Sequence, residues 1–136
     1  MLELADDQLQ VGMVARNAQA MLDFYGKTLG LPRSEMIPNG TLELPNGTLH
    51  LFAAGSNLIK IMVPTEVPAR QDSDGEPTQA TGIRYWTLIV KNLDKLVEEC
   101  CEGGATLLGE INQIGSIRFA VLNDPDGNCL EFNEFV

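Results

Sequence analysis

The chain has 136 residues, 44% of them hydrophobic and 21% charged. That is the size and balance of one globular domain able to bury a core without disulfide staples. Nineteen acidic residues against nine basic ones leave a net charge of −10, which argues against a nucleic-acid backbone or an anionic membrane surface as partner. No apolar run is long enough to span a bilayer, and MLELADDQLQ carries neither the basic nor the apolar region of a secretion signal. The expectation is a cytoplasmic protein. Its three cysteines, Cys100, Cys101 and Cys129, are odd in number and two are adjacent, which is no disulfide framework. A single histidine, His50, leaves no Cys/His zinc set to assemble.

In chain order, a short apolar run from Val11 predicts a buried strand that ends at Arg16-Asn17. Asn17 is placed to cap a helix with an apolar stripe at Ala18, Met21, Leu22 and Tyr25, closed by Gly30. Three strands follow, Thr41–Leu44, Thr48–Ala53 and Leu58–Val63, separated by Asn-, Pro- and Gly-rich turns. The polar, proline-bearing stretch 65–81 predicts a linker between module one, residues 8–64, and module two, residues 82–136. The pattern then repeats at an offset of 75 residues, from Val11 to Trp86. Lys91-Asn92 precedes a stripe at Leu93, Leu96, Val97 and Cys100, closed by Gly103-Gly104. Strands are predicted over Thr106–Ile111, Ile117–Leu122 and Cys129–Phe135, the last two joined by a hairpin turn, Asp124-Pro125-Asp126-Gly127-Asn128. The order is βαβββ twice. One helix covers only one face of a four-stranded sheet, so the other face must meet a partner or line a hollow.

Three stretches, QVGMVARNAQAMLDFYGKTLGLP, YWTLIVKNLDKLVEECCEGGATLLG and DPDGNCLEFNE, resemble the vicinal oxygen chelate superfamily of glyoxalase I, bleomycin-resistance proteins, extradiol dioxygenases and methylmalonyl-CoA epimerase. The resemblance implies an α+β fold, two βαβββ modules forming a curved eight-stranded mixed sheet with helices on the outer face. It also implies a homodimer and a small-molecule ligand, with no nucleic acid and no membrane. Fold does not specify reaction, because this superfamily hosts isomerases, lyases, dioxygenases and plain binders.

The family's four inward positions, which commonly hold a metal, fall on Gln10, Lys60, Tyr85 and Glu131. Gln10 and Glu131 are the ligand-binding residues that would also hold a metal if one is present. Lys60 is an ammonium with donors only, and a phenol such as Tyr85 is a rare ligand, so no metal cofactor is expected; a divalent ion is the alternative. Three readings of Lys60 stand together: an ion pair with Glu131, a grip on an anionic substrate oxygen, or proton transfer with Glu131 and Tyr85 as the catalytic set. His50, between Leu49 and Leu51, is a further inward candidate, a general base or ligand. Arg118, between Ile117 and Phe119, is a candidate carboxylate clamp. The expectation is a protein that binds a small organic molecule between its modules without the family's metal. The alternative is a lyase or isomerase of the glyoxalase or epimerase type.

Overall fold

The computed structural model describes residues 1–71 and 76–136. The part of the expected linker at 72–75 lies outside the described residues. The first half contains β1 (Gln10–Val14), α1 (Ala18–Asp23), β2 (Thr41–Leu44), β3 (Gly47–Ala54) and β4 (Asn57–Pro64). The second contains β5 (Tyr85–Ile89), α2 (Leu93–Glu102), β6 (Thr106–Leu107), β7 (Asn112–Ile114), β8 (Ile117–Asn123) and β9 (Cys129–Phe135). The duplication holds to the residue at the entries. Gln10 and Tyr85 open the first strands, and Ala18 and Leu93 open the helices. The strand orders are β1-β4-β3-β2 and β5-β9-β8-β6, with β7 also on β8. The first strand of each module runs parallel to the last, and the other pairs are antiparallel. The chain is therefore α+β, built of two βαβββ modules.

Two features differ from expectation. The eight-stranded sheet is two sheets, of four and five strands, with β1 and β5 each on an edge. The strand expected over Thr106–Ile111 breaks after Leu107, and β6 and β7 meet β8 separately. Gly109 sits in that break at φ +80°, a conformation other residues rarely adopt.

Helix α1 passes into a π-helical turn over Phe24–Thr28. The adjacent rings of Phe24 and Tyr25 are both fully buried there and meet edge-on at 5.2 Å. One core serves both modules. Met21, Phe24, Phe52 and Ile61 from the first join Leu93, Cys100, Leu130 and Phe132 from the second. Each large apolar side chain so buried contributes about 1.5–3 kcal/mol. Burial pushes the Cys100 thiol up to about 12, so it packs as an apolar group.

Neither helix is capped by its own asparagine side chain. The hairpin loop of module two instead holds the two residues that precede α1. Asp126 takes the N–H groups of Arg16 (2.7 Å) and Asn17 (3.0 Å), and the Asn17 side-chain amide donates to it at 2.9 Å. The asparagine is thus drawn away from its own helix. Next to it, buried Asp124 accepts the Tyr25 hydroxyl at 2.8 Å. It also accepts the N–H groups of Asp126 and Asn128 and the Asn128 side-chain amide. Burial pushes the Asp124 carboxyl above its usual range despite these donors, which pull it down. At the second helix, Glu134 accepts the N–H of Leu93.

Asp126→Ala removes a buried acceptor shared by two N–H groups and an amide. A loss of about 2–4 kcal/mol is expected in urea unfolding, with Asp126→Asn, which keeps one acceptor oxygen, intermediate. A cost below about 0.5 kcal/mol, that of an ordinary surface change, would show that the loop does not hold the modules together.

Candidate functional site

Directly paired residues of neighbouring strands share a face, so the registers divide each sheet into a helix face and an open face. In module one, Met13, Ile59, Ile61 and Phe52 belong to the core and mark the helix face. Gly12, Lys60 and Leu51 are mutual partners on the other side. In module two, Leu88, Phe132 and Ala120 mark the helix face, and Thr87, Glu131 and Val121 the open one. Gln10, Lys60, Tyr85 and Glu131 all fall on open faces, as their positions in the repeat predict.

They do not meet as one constellation. Lys60 makes no ion pair or hydrogen bond among the described residues, and the last methylene of its side chain lies above Gly12. Glu131 instead accepts a hydrogen bond from its cross-strand neighbour, Thr87 Oγ1, at 3.0 Å. Gln10 donates from Nε2 to Gln8 Oε1 at 2.8 Å, and the Tyr85 ring is more than half exposed. Among the described residues no three of His, Cys, Asp or Glu are gathered where they could hold a metal ion. An ammonium, a phenol and two separated oxygen donors do not fit the family's divalent ion.

The other two candidates lie on the helix faces. His50 pairs with Ile61 and lies next to Phe52, on the side opposite Lys60. Its Nδ1 is 2.9 Å from Arg33 Nη1, and the Arg33 guanidinium stacks 4.3 Å from the Phe52 ring centre. Arg118 pairs with Glu134, two residues along each strand from the pair Ala120 and Phe132 and so on the same face. It does clamp a carboxylate bidentately, but that carboxylate is Asp94 at the start of α2, held at 2.6 and 2.9 Å. Its Nη1 also reaches Glu134 at 2.9 Å. Both residues were assigned to the open face because their flanking residues are apolar. Those flanking residues turn out to be the open-face ones.

The principal cavity lies between the free edges of β1 and β5. Its volume is about 1040 Å³, at the upper end of the range for small-molecule sites. Gln10 and Tyr85 line it, with Gly12, Thr87 and the apolar Val11, Ile83 and Leu88. Lys60 and Glu131, one strand further in on each side, do not. Trp86 also lines it and stacks on Tyr25 at 6.1 Å and 27°. The indole Nε1 is buried without a hydrogen-bond partner among the described residues. Three arginines, Arg16, Arg70 and Arg84, reach the lining together with Asp126. Arg70 lies in the linker and Arg84 just before β5, both outside the repeated pattern, while Arg16 belongs to it as the basic residue that ends the first strand and carries no local sign of a site.

The model of the Glyoxalase/Bleomycin resistance protein/Dioxygenase superfamily matches residues 8–132, and the chain belongs to that superfamily. No curated protein matches it. Among solved structures, a glyoxalase family protein from Bacillus cereus is similar over 98% of this chain and 99% of its own, at TM-score 0.78 and 18% identity. A glyoxalase/bleomycin resistance protein/dioxygenase family enzyme from Burkholderia phytofirmans PsJN is similar over 93% and 97%, at TM-score 0.67 and 23% identity. At such identities the likeness speaks for the fold alone. No helix among the described residues is long and apolar enough to cross a membrane.

Burial and the Arg33 charge depress the His50 imidazole below its usual 6.5. A depressed value means the neutral ring contributes stability at and above pH 6.5 that is lost as pH falls through the lower folded midpoint. As the only histidine, His50 gives a single imidazole NMR titration, expected to centre below 6.5 and to rise in Arg33→Ala. A midpoint at or above 6.5 in the unaltered protein contradicts this contact.

Proposed function

We propose that this protein binds a small organic molecule in the cavity between β1 and β5, without the divalent ion of its superfamily. The observation that carries the reading is the cavity itself, about 1040 Å³, with apolar walls and a few polar groups turned inward, the make-up of a small-molecule site. The donor set at the four inward positions supports the metal-free part. The alternative, a lyase or isomerase working through Lys60, Glu131 and Tyr85, needs these groups within reach of one substrate. Lys60 and Glu131 share no bond among the described residues and lie off the cavity lining, so binding is the better-supported reading. Three unpaired cysteines favour a reducing compartment, the cytoplasm.

We also propose a homodimer. Val14, Ile89, Ile114 and Phe135 are each 60% exposed or more, and their registers place all four on the open faces. Apolar residues grouped on one side of a sheet mark an interaction surface. Ile89→Lys is expected to turn a dimer into a monomer in sedimentation analysis. A chain that is monomeric before the change removes the proposal.

A thermal-shift screen of small organic compounds tests the binding reading, with Thr87→Phe as the variant that fills the cavity. At least one compound should raise the melting temperature saturably, and Thr87→Phe should abolish the effect. Elemental analysis of the purified protein should find no stoichiometric divalent metal. A ligand indifferent to Thr87→Phe places the site elsewhere, and a stoichiometric metal overturns the metal-free part.

A further inference from the structure

Among the described residues, the charges that line the cavity are on balance opposite in sign to the net charge of the molecule. The chain carries −10 overall, yet three of its five arginines line the cavity and, among the described lining residues, Asp126 is the one acid. Their backbone positions lie at one end of the cavity, around the loop from Asp126 to Cys129. The Arg16 N–H is bonded to Asp126 Oδ2 at 2.7 Å. Gln71, next to Arg70, donates from Nε2 to the Asp126 carbonyl at 2.7 Å. Arg84 precedes Tyr85, the register partner of Cys129. Burial and the nearby Glu131 push the Cys129 thiol up, and the Arg84 charge pulls against them.

Two acids at this end, among the described residues, already hold hydrogen bonds of the chain. Asp126 accepts two N–H groups and the Asn17 amide, and Glu76 caps the short turn Pro77–Gln79. Arg70 and Arg84 have partners within the chain, and Arg84 spends its Nε on the Pro77 carbonyl. A guanidinium has five N–H donors in a planar fork, so one such bond leaves others to offer. Exposed charges more than about 8 Å away are largely screened at physiological salt. Inside the cavity the nearest charges decide.

We propose that the cavity selects an organic acid, whose carboxylate or phosphate is gripped by Arg16, Arg70 and Arg84 and whose apolar body lies along Val11, Ile83, Leu88 and the Trp86 indole. The proposal rests on the cavity being a binding site and adds the chemical class of its ligand. Planar guanidinium groups match the paired oxygens of either anion, and the apolar wall gives the body of the ligand its burial.

Four probes with an aromatic body test it: 4-phenylbutyrate, phenyl phosphate, 4-phenylbutanamide and 4-phenylbutylamine. Binding is read from the fluorescence of Trp86, the one tryptophan of the chain, and from thermal shift. The two anions should bind more tightly than the amide and the amine, and added salt should weaken them. The double variant Arg16→Gln/Arg70→Gln should weaken 4-phenylbutyrate by about tenfold or more, the scale of a lost charged hydrogen bond, and leave the amide unchanged. Arg33→Gln removes one positive charge away from the cavity and should leave all four probes unaffected. Melting of each variant without probe checks that it folds, and should the double variant fail to fold, the order of the four probes on the unaltered protein decides alone. If the amide or amine binds as tightly as the anions, the proposal is overturned while the cavity remains a binding site. If no probe gives a saturable response, the cavity reading falls and the proposal with it.

Discussion

Where the chain turns from β1 into α1 it presents the N–H groups of Arg16 and Asn17, and a carboxylate of the other module accepts both. Asp126 holds the chain at the entry to the first helix by two N–H groups that precede its first turn, while the Asn17 side chain makes no capping bond. Beside it, Asp124 holds the hydroxyl of Tyr25, whose ring is fully buried and stacked on Trp86. One five-residue turn therefore joins backbone, hydroxyl and aromatic contacts across the module boundary. Keeping a buried carboxylate has a cost, visible in the upward push on Asp124. The donors around it offset that cost and make the geometry specific, because an unmet buried charge would be far more expensive than the bonds are worth singly.

This docking sets the shape of the candidate site. The modules meet through their helix faces and the loop, while β1 and β5 remain edge strands of separate sheets. The space between those edges is the cavity. Asp126 is at once a docking group and part of the lining, and it brings Arg16 to that end of the space. Lys60 and Glu131 are set one strand back from the opening.

The duplication was fully legible in the sequence, because apolar stripes, Asn-bearing helix entries and glycine stops recur at one offset. Strand parity was legible where only one face is apolar. Ile59 and Ile61 flank Lys60 and enter the core, so Lys60 points to the open face. It failed at His50 and Arg118, where the open face is apolar too. Leu49 and Leu51 stand beside His50 on the Lys60 side, and Ile117 and Phe119 beside Arg118 pair with open-face residues of β9. Alternation then cannot tell inside from outside. The split of Thr106–Ile111 rests on one backbone angle at Gly109. The tasks of Asp124 and Asp126 depend on partners some hundred residues away, which no local pattern encodes, although the DPDGN turn itself was plain.

The central claim is that the two modules form one cooperative body closed by the Asp126 loop. Native-state hydrogen exchange of the Arg16 and Asn17 amides tests it most directly. If the loop holds as described, these two amides exchange only through global unfolding, with the same opening free energy as Phe132 in the middle of β9. Opening of Arg16 and Asn17 while Phe132 stays protected would contradict the account, since the modules would then part without unfolding.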